Sequence, residues 1–341
     1  MVSKTFTCGK RHRAKLALSQ KQLLTRKDHF VEGTSGFRIA EDVARALFDR
    51  RPIVALESTV IAHGLPKPLN IETARACKQS VVAEGAVPAT IGVVDGSAVI
   101  GLSEEEMNCF AEAKAPNGNA IEKVNPGNLA AVMVRRGWGA TTVAATMKIA
   151  FEGGLKVFST GGIGGVHRGA SESFDISADL TALAQIQMVC VCAGAKAILD
   201  LPKTREQLET LGVPVVGYGT EEFPAFYTRA SGLAVDINVA TPDEAAELSA
   251  RHWQSGGRTA VLVCVPLPKE FEMSASEVER AARQAIDEAK RSEIRGKALT
   301  PFLLSQMEKL TRGNTLEANR ALLVNNAVVA ARIAKCLKSF I

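Results

Sequence analysis

The sequence predicts an α/β fold: a mainly parallel sheet flanked by helices, forming a single large catalytic domain. Three observations lead there. Short apolar runs of strand character alternate with segments of helical spacing along most of the chain. A hydrophobic fraction of 46% over 341 residues supplies a sizeable buried core. Chemistry-bearing residues follow several of the apolar runs directly, where open parallel sheets bind their ligands.

Each element has its own justification. Residues 37–50 place Ile39, Val43, Ala46 and Leu47 at helical spacing and end on Arg50 and Arg51, which suit a helix C-terminus. Pro52 stops that helix, and 53–56 form a short buried strand leading into Glu57-Ser58-Thr59. Residues 71–84 read as a helix closed by Gly85, and 88–94 as a strand turning at Asp95-Gly96. Residues 103–112 open with a capping box, Ser103 with Glu106. Pro116-Asn117-Gly118-Asn119 is a loop. Helices follow at 129–136 and 141–151, and a strand at 156–159 enters the glycine-rich run Gly161-Gly162-Ile163-Gly164-Gly165. Residues 179–184 are helical, 187–192 form a strand ending just before Lys196, 205–211 a helix and 213–217 a strand. From Ala275 onward the pattern is helical, at 275–292 and 315–337.

The net charge of +5 is concentrated in the first 27 residues, which hold Lys4, Lys10, Arg11, Arg13, Lys15, Lys21, Arg26 and Lys27 and no acid. The body is near neutral, which argues against a broad nucleic-acid footprint and leaves room for one anionic small molecule. Residues 1–36 read as a basic extension outside the fold, either disordered or a targeting segment, and 37–341 as the catalytic domain. No apolar stretch approaches the ~20 residues of a membrane span. The cysteines number seven, an odd count without a CxxC pair, and read as reduced thiols of an intracellular protein. Cys190 and Cys192 share one strand face, which fits core packing.

Lys196 is the candidate nucleophile. An ordinary lysine has a pKa of ~10.4; burial or a nearby cation lowers it and frees the amine for Schiff-base chemistry. By position alone it reads rather as a surface lysine at a strand end. Asp175 and Asp179 suit a hard cation, Mg²⁺ or Mn²⁺, although Asp179 also suits a helix cap. Gly161 to Gly165 can let a phosphate approach its backbone amides, but the run is neither a Walker loop nor a G-x-G-x-x-G fingerprint. His167-Arg168 can add hydrogen bonding and positive charge. Glu57 can be a general acid or base. His63 follows the same strand and equally suits a loop-backbone contact.

Taken together, these motifs carry a resemblance. Ala55-Leu56-Glu57-Ser58-Thr59-Val60-Ile61-Ala62-His63-Gly64 resembles the first signature of pseudouridine-5′-phosphate glycosidases. Gly139-Ala140-Thr141-Thr142-Val143-Ala144, the run Thr160 to Gly169, Phe174 to Asp179, Cys192 to Lys196, Thr300-Pro301-Phe302-Leu303-Leu304 and Asn325-Asn326-Ala327 match further blocks in the same order. The resemblance extends from about Phe37 to near Lys338.

It implies reversible cleavage of the carbon–carbon glycosidic bond of pseudouridine 5′-phosphate to uracil and ribose 5-phosphate. The route runs through a lysine Schiff base with ring-opened ribose. By that resemblance Lys196 is the nucleophile and Glu57 the proton donor or acceptor. Asp175 holds a divalent cation, usually manganese. Ser177, Ala178 and Asp179 contact the ribosyl phosphate region, and Thr160 and His167 line the same pocket. Lys123 and Val143 contact substrate, and Asn319 contacts uracil. A homotrimer is implied as well. Alternatives are a Schiff-base aldolase on another phosphosugar, or a phosphosugar-binding protein that has lost catalysis.

Two departures stand out. After Lys123 the family carries a run close to Ser-Arg-Arg-Asp-Leu, whereas this chain has Asn125-Pro126-Gly127-Asn128-Leu129. That replacement is expected to displace Lys123 and weaken phosphate binding. Before Pro266 the family usually has asparagine; this chain has Val265.

Overall fold

The computed structural model describes residues 30–32, 36–294 and 296–340. Its frame is a twelve-stranded sheet. In chain order the strands are β1 (Phe30–Glu32), β2 (Phe37–Ala40), β3 (Ile53–Leu56), β4 (Val87–Val94), β5 (Ser97–Ile100), β6 (Glu122–Val124), β7 (Gly139–Thr141), β8 (Val157–Ser159), β9 (Val189–Cys192), β10 (Val215–Tyr218), β11 (Ile237–Val239) and β12 (Val261–Cys264). They lie side by side as β1-β2-β5-β4-β3-β8-β9-β12-β10-β11, with β7 paired to β4 and β6 to β7.

From β4 through β3, β8, β9, β12 and β10 to β11 every pairing is parallel. Strands β3, β8, β9 and β12 are buried along their whole length. That is why they read as unbroken apolar runs rather than alternating ones: helices cover both faces of a parallel sheet. Cys190 and Cys192 are buried in β9, as core packing requires. Between these strands, antiparallel pairing is confined to β1/β2, β4/β5 and β4/β7. The β4–β5 turn puts Asp95 and Gly96 at φ 48° and 81°, the double positive φ of a tight hairpin.

The helices are α1 (Glu41–Phe48), α2 (Leu69–Ala83), α3 (Glu104–Glu112), α4 (Leu129–Val134), α5 (Val143–Glu152), α6 (Ala170–Ser173), α7 (Ala178–Gln185), α8 (Leu201–Thr210), α9 (Pro242–Gln254), α10 (Ala275–Arg291), α11 (Leu299–Leu310) and α12 (Asn314–Leu337). The capping box forms as read: Ser103 Oγ accepts from the Glu106 amide at 3.2 Å, and the Ser103 amide donates to Glu106 Oε2 at 2.9 Å. Helix α12 packs on α2 and α9 and lies across β3, β8 and β9. It buries Leu322, Ala327, Ala330, Ala331 and Ile333. One continuous apolar core runs from Val43 to Leu337, so the chain folds as a single domain.

Some expectations change. The helix expected from Phe37 begins at Glu41; Phe37–Ile39 instead pair in parallel with Ala98–Ile100. Edge pairing overrides a spacing that suits either structure. Phe30–Glu32 pairs with Arg38–Ala40, so the sheet takes in part of the expected extension. The targeting reading of the basic segment lies outside the described residues. Among the elements not anticipated are β5, β12, α9 and α11. No helix among the described residues is long and apolar enough to cross a membrane.

Candidate active site

A cavity of ≈ 340 Å³ opens beyond the C-terminal ends of the parallel strands. Glu57 directly follows β3, Thr160 directly follows β8, and Lys196 stands four residues past β9. These three strands are neighbours in the sheet. Residues far apart in sequence therefore meet on one rim.

Glu57 lines the cavity, and its Oε1 accepts the hydroxyl of buried Thr160. Burial raises the Glu57 carboxyl above the usual carboxylate range, against the opposing pull of Lys196 and of the Thr160 hydroxyl. Asp179 adds to the rise. A carboxyl raised above its usual range by burial is better suited to give a proton as well as take one. Thr160 is held from behind: buried Asn326 on α12 donates through Nδ2 to the carbonyls of Thr160 at 2.8 Å and Gly161 at 3.3 Å.

Lys196 is half-buried and its Nζ donates to the Gly162 carbonyl at 2.7 Å. Its own amide donates to the Ile163 carbonyl at 3.1 Å. The sharp approach from β9 depends on Gly194, at φ 80°, where a Cβ would lie 1.9 Å from the Pro224 carbonyl oxygen. The lysine thus enters the cavity from a fixed backbone, bonded to the glycine-rich turn.

The glycines of that turn have another reason than the one read from sequence. A Cβ on Gly162 would sit 2.6 Å from the Phe226 ring, one on Gly164 2.3 Å from Ser177 Oγ, and one on Gly165 2.4 Å from Thr204 Oγ1. Close packing of neighbouring elements demands them. The Gly164 amide is taken by Asp179 Oδ2 at 2.8 Å, while Asp179 Oδ1 accepts the Ala144 amide at 3.0 Å. Asp179 therefore staples the glycine-rich turn to the start of α5, and both oxygens are engaged within the protein. Arg168 also departs from expectation. Its guanidinium pairs with Glu279 at 2.9 and 2.7 Å, away from the cavity.

Asp175, His167, Ser177 and Ala178 form another part of the wall. The His167 amide donates to the Asp175 carbonyl at 3.0 Å. Burial lowers the His167 imidazole below its usual range, with the Asp175 charge opposing. Ser177 Oγ caps α7 through the Asp179 amide at 3.2 Å, so Ala178 opens that helix at the cavity edge. No group of three or more His, Cys, Asp or Glu side chains among the described residues is placed to hold a metal ion. The Asp175 carboxylate, which makes no hydrogen bond among the described residues, still fits a hard divalent cation that completes its shell with water and substrate oxygens.

Lys123, Val143 and Asn319 line the cavity too. Of the site residues implied by the resemblance, Thr160 alone is not in the wall, and its hydroxyl bonds to Glu57. Lys123 has a place in the cavity wall beside the Asn125–Asn128 turn. The turn locks itself, with Asn128 Oδ1 accepting the Asn125 amide at 2.8 Å and Asn128 Nδ2 donating to the Lys123 carbonyl at 3.1 Å. Where Val265 replaces asparagine, Asn325 Nδ2 reaches the Pro266 carbonyl at 3.4 Å. Sequence reasoning left out Thr59, His63, Asn125, Phe226, Thr300 and Leu304 as site residues, all of which line the cavity. His63 and Thr300 sat inside the quoted motifs; Phe226 carried no local signal.

Residues 42–336 match the family model described as Indigoidine synthase A like protein. The chain is 53% identical over 296 residues to the pseudouridine-5′-phosphate glycosidase of Caldanaerobacter subterraneus subsp. tengcongensis, covering 87% of this chain and 95% of that protein. It is 48% identical over 302 residues to the enzyme of that name from Petrotoga mobilis, covering 89% and 97%. Among solved structures, the prealnumycin C-glycosynthase AlnA in complex with ribulose 5-phosphate matches with a TM-score of 0.82 at 36% identity, covering 90% of this chain and 98% of that one. An indigoidine synthase A-like protein from Thermotoga maritima matches with a TM-score of 0.78 at 36% identity, covering 84% and 94%. The chain belongs to this family, that of the indigoidine synthase A-like proteins and pseudouridine-5′-phosphate glycosidases.

Proposed function

We propose that this chain catalyses the reversible cleavage of pseudouridine 5′-phosphate to uracil and ribose 5-phosphate. The observation that carries the reading is the convergence of Lys196 Nζ and a carboxyl held above its usual range, Glu57, in one cavity at neighbouring strand ends. The names of the relatives and the sugar phosphate in the AlnA structure support the substrate class.

An ordinary glycosidase would expel a carbanion, since the base is attached through carbon. A lysine offers another path. Glu57 gives a proton to the ring oxygen as the C1′–O4′ bond opens, and the neutral amine of Lys196 bonds to C1′. The Glu57 carboxylate takes a proton from the nitrogen so bonded, and the lone pair freed there forms the C1′=N bond while the carbon–carbon electron pair leaves with uracil C5. Glu57 can return a proton to that carbon. Water hydrolyses the iminium to release ribose 5-phosphate and the amine. The start of α7 at Ser177 and Ala178 suits the phosphate.

Asp175 would hold the divalent cation, manganese or magnesium, whose charge would offset that of the phosphate. A homotrimer is part of the same proposal, supported by Phe174 and Ile176, which are 82% and 45% exposed beside Asp175. Free cysteines throughout the described residues support an intracellular setting.

The test is a uracil-release assay on wild type, Lys196→Ala and Glu57→Ala. Uracil from wild type alone supports the reading and separates it from an aldolase. Near-normal release by Lys196→Ala would sink the covalent route.

A further inference from the structure

Three buried hydroxyls in or beside the matched motifs have no part in the chemistry above. They are Ser58, which follows Glu57, and Thr141 and Thr146, on either side of the start of α5. They meet where the sheet forks. Strand β4 pairs with β3 up to Thr90, opposite Leu56, and with β7 from Gly92, opposite Ala140. No ladder among the described residues joins β3 to β7. Yet each leads into the cavity wall, β3 through Glu57 and Thr59, β7 through Thr142 and Val143.

Side chains make the join. Ser58 Oγ accepts the Thr141 amide at 2.9 Å, and Thr59 Oγ1 donates to the Ala140 carbonyl at 3.2 Å. The Thr141 hydroxyl donates to the Ile91 carbonyl at 2.8 Å, at the residue between the two pairings of β4. That bond uses its single proton. The Thr141 oxygen therefore accepts from Thr146 Oγ1 at 2.8 Å and from Ser58 Oγ at 3.3 Å. Thr141 is the hub of the network, with one arm to the residue beside Glu57 and one to the first turns of α5.

Hydroxyls buried in an apolar layer are costly unless each finds a partner, and a network that satisfies its members rigidifies what it touches. Valine would fill nearly the space of Thr141 without needing partners. What the hydroxyl adds is a fixed geometry between two parts of the sheet that the backbone leaves unjoined. We propose that Thr141 is a positioning residue: its hydroxyl fixes Glu57, through Ser58, against Val143 and the start of α5, through Thr146, and so sets the proton donor relative to the bound sugar phosphate. This rests on the glycosidase reading above. The two arms have separable effects. The Ser58 arm ends beside the acid and governs the chemical step. The Thr146 arm ends in the helix whose first residue lines the cavity and governs binding. Small misplacements of a reacting group cost rate steeply.

The experiment measures kcat and KM for uracil release with wild type, Thr141→Val, Thr141→Ser, Ser58→Ala and Thr146→Val, and Ser249→Ala as control. Ser249 is also buried, and its hydroxyl donates to the Ala245 carbonyl at 2.7 Å within α9, away from the cavity. Thr141→Val should lower kcat about tenfold or more and raise KM. Thr141→Ser, which keeps the hydroxyl, should recover most of both. Ser58→Ala should act mainly on kcat and Thr146→Val mainly on KM. Ser58→Ala added to Thr141→Val should cost little more in kcat, because both break one arm. Ser249→Ala should lower the melting temperature and keep wild-type kcat and KM. Folded Thr141→Val with wild-type kcat and KM overturns the proposal about Thr141 alone. So does a loss that Thr141→Ser leaves unrelieved. Should Thr141→Val fail to fold, the two single-arm variants decide: the split between kcat and KM supports the proposal, and wild-type values in both overturn it. Wild type that releases no uracil overturns the glycosidase reading, and this proposal with it.

Discussion

The two walls of the cavity are built differently. On the wall formed by the ends of β3, β8 and β9, polar groups bond within the protein. Asn326 holds the Thr160 carbonyl, Thr160 donates to Glu57, Lys196 donates to Gly162, and Asp179 takes two backbone amides. On the wall formed by Asp175, His167, Ser177 and Ala178, the Asp175 carboxylate makes no hydrogen bond among the described residues. The first wall is held in place before any ligand arrives, and substrate groups can complete the second.

Substitutions on the two walls should therefore fail differently. Glu57→Gln should have the largest effect on turnover, about 10²–10⁴-fold in uracil release. It should also raise stability. Burial raises the folded-state pKa of Glu57, so folding favours the protonated acid. Its contribution is most favourable below the unfolded-state value and is lost as pH rises through the folded one. Thermal melts across pH should show Glu57→Gln gaining over wild type on the alkaline side and not in acid. No gain there would contradict the assigned burial.

The pH profile of kcat/KM follows from the same group. Activity that needs the protonated acid should fall as pH rises through the elevated Glu57 value, above the ordinary carboxylate range. Glu57→Gln should lack that limb. Asp175→Asn, on the open wall, should raise KM about tenfold or more and remove the response to added Mn²⁺ in a titration, with little change in melting temperature.

Asn326→Ala sharpens the contrast from the closed wall. It removes a buried clamp, so stability should fall by about 1–3 kcal/mol in denaturant titrations. Since Thr160 loosens, kcat should fall more than KM rises. Arg168→Ala should do least. Its partner Glu279, held down to about 2 mainly by the hydrogen bond from Arg168, is partly exposed, and pairs of that kind contribute about 0–1 kcal/mol. Uracil release should stay at the wild-type level, because Arg168 points away from the cavity.

What the sequence made legible was local. The run Val189–Cys192 followed by Lys196, or Ile53–Leu56 followed by Glu57, places a side chain at a strand end through neighbouring residues alone. The capping box of α3 needs four consecutive positions. The unread features depend on distant partners. The glycines at 162, 164 and 165 looked like a phosphate cradle, yet they make room for Phe226, Ser177 and Thr204. Arg168 read as hydrogen bonding and positive charge for the site, yet its guanidinium pairs with Glu279. Residues 37–39 satisfied a helical pattern, but strand β5 claimed them.

The most direct measurement is reductive trapping. Wild-type protein is incubated with ribose 5-phosphate and borohydride, then digested and mapped by mass spectrometry. One ribitol-phosphate adduct on the peptide containing Lys196, absent from Lys196→Ala, is the predicted result. Folded protein that turns over substrate yet yields no adduct, or carries it on another lysine, would contradict the account.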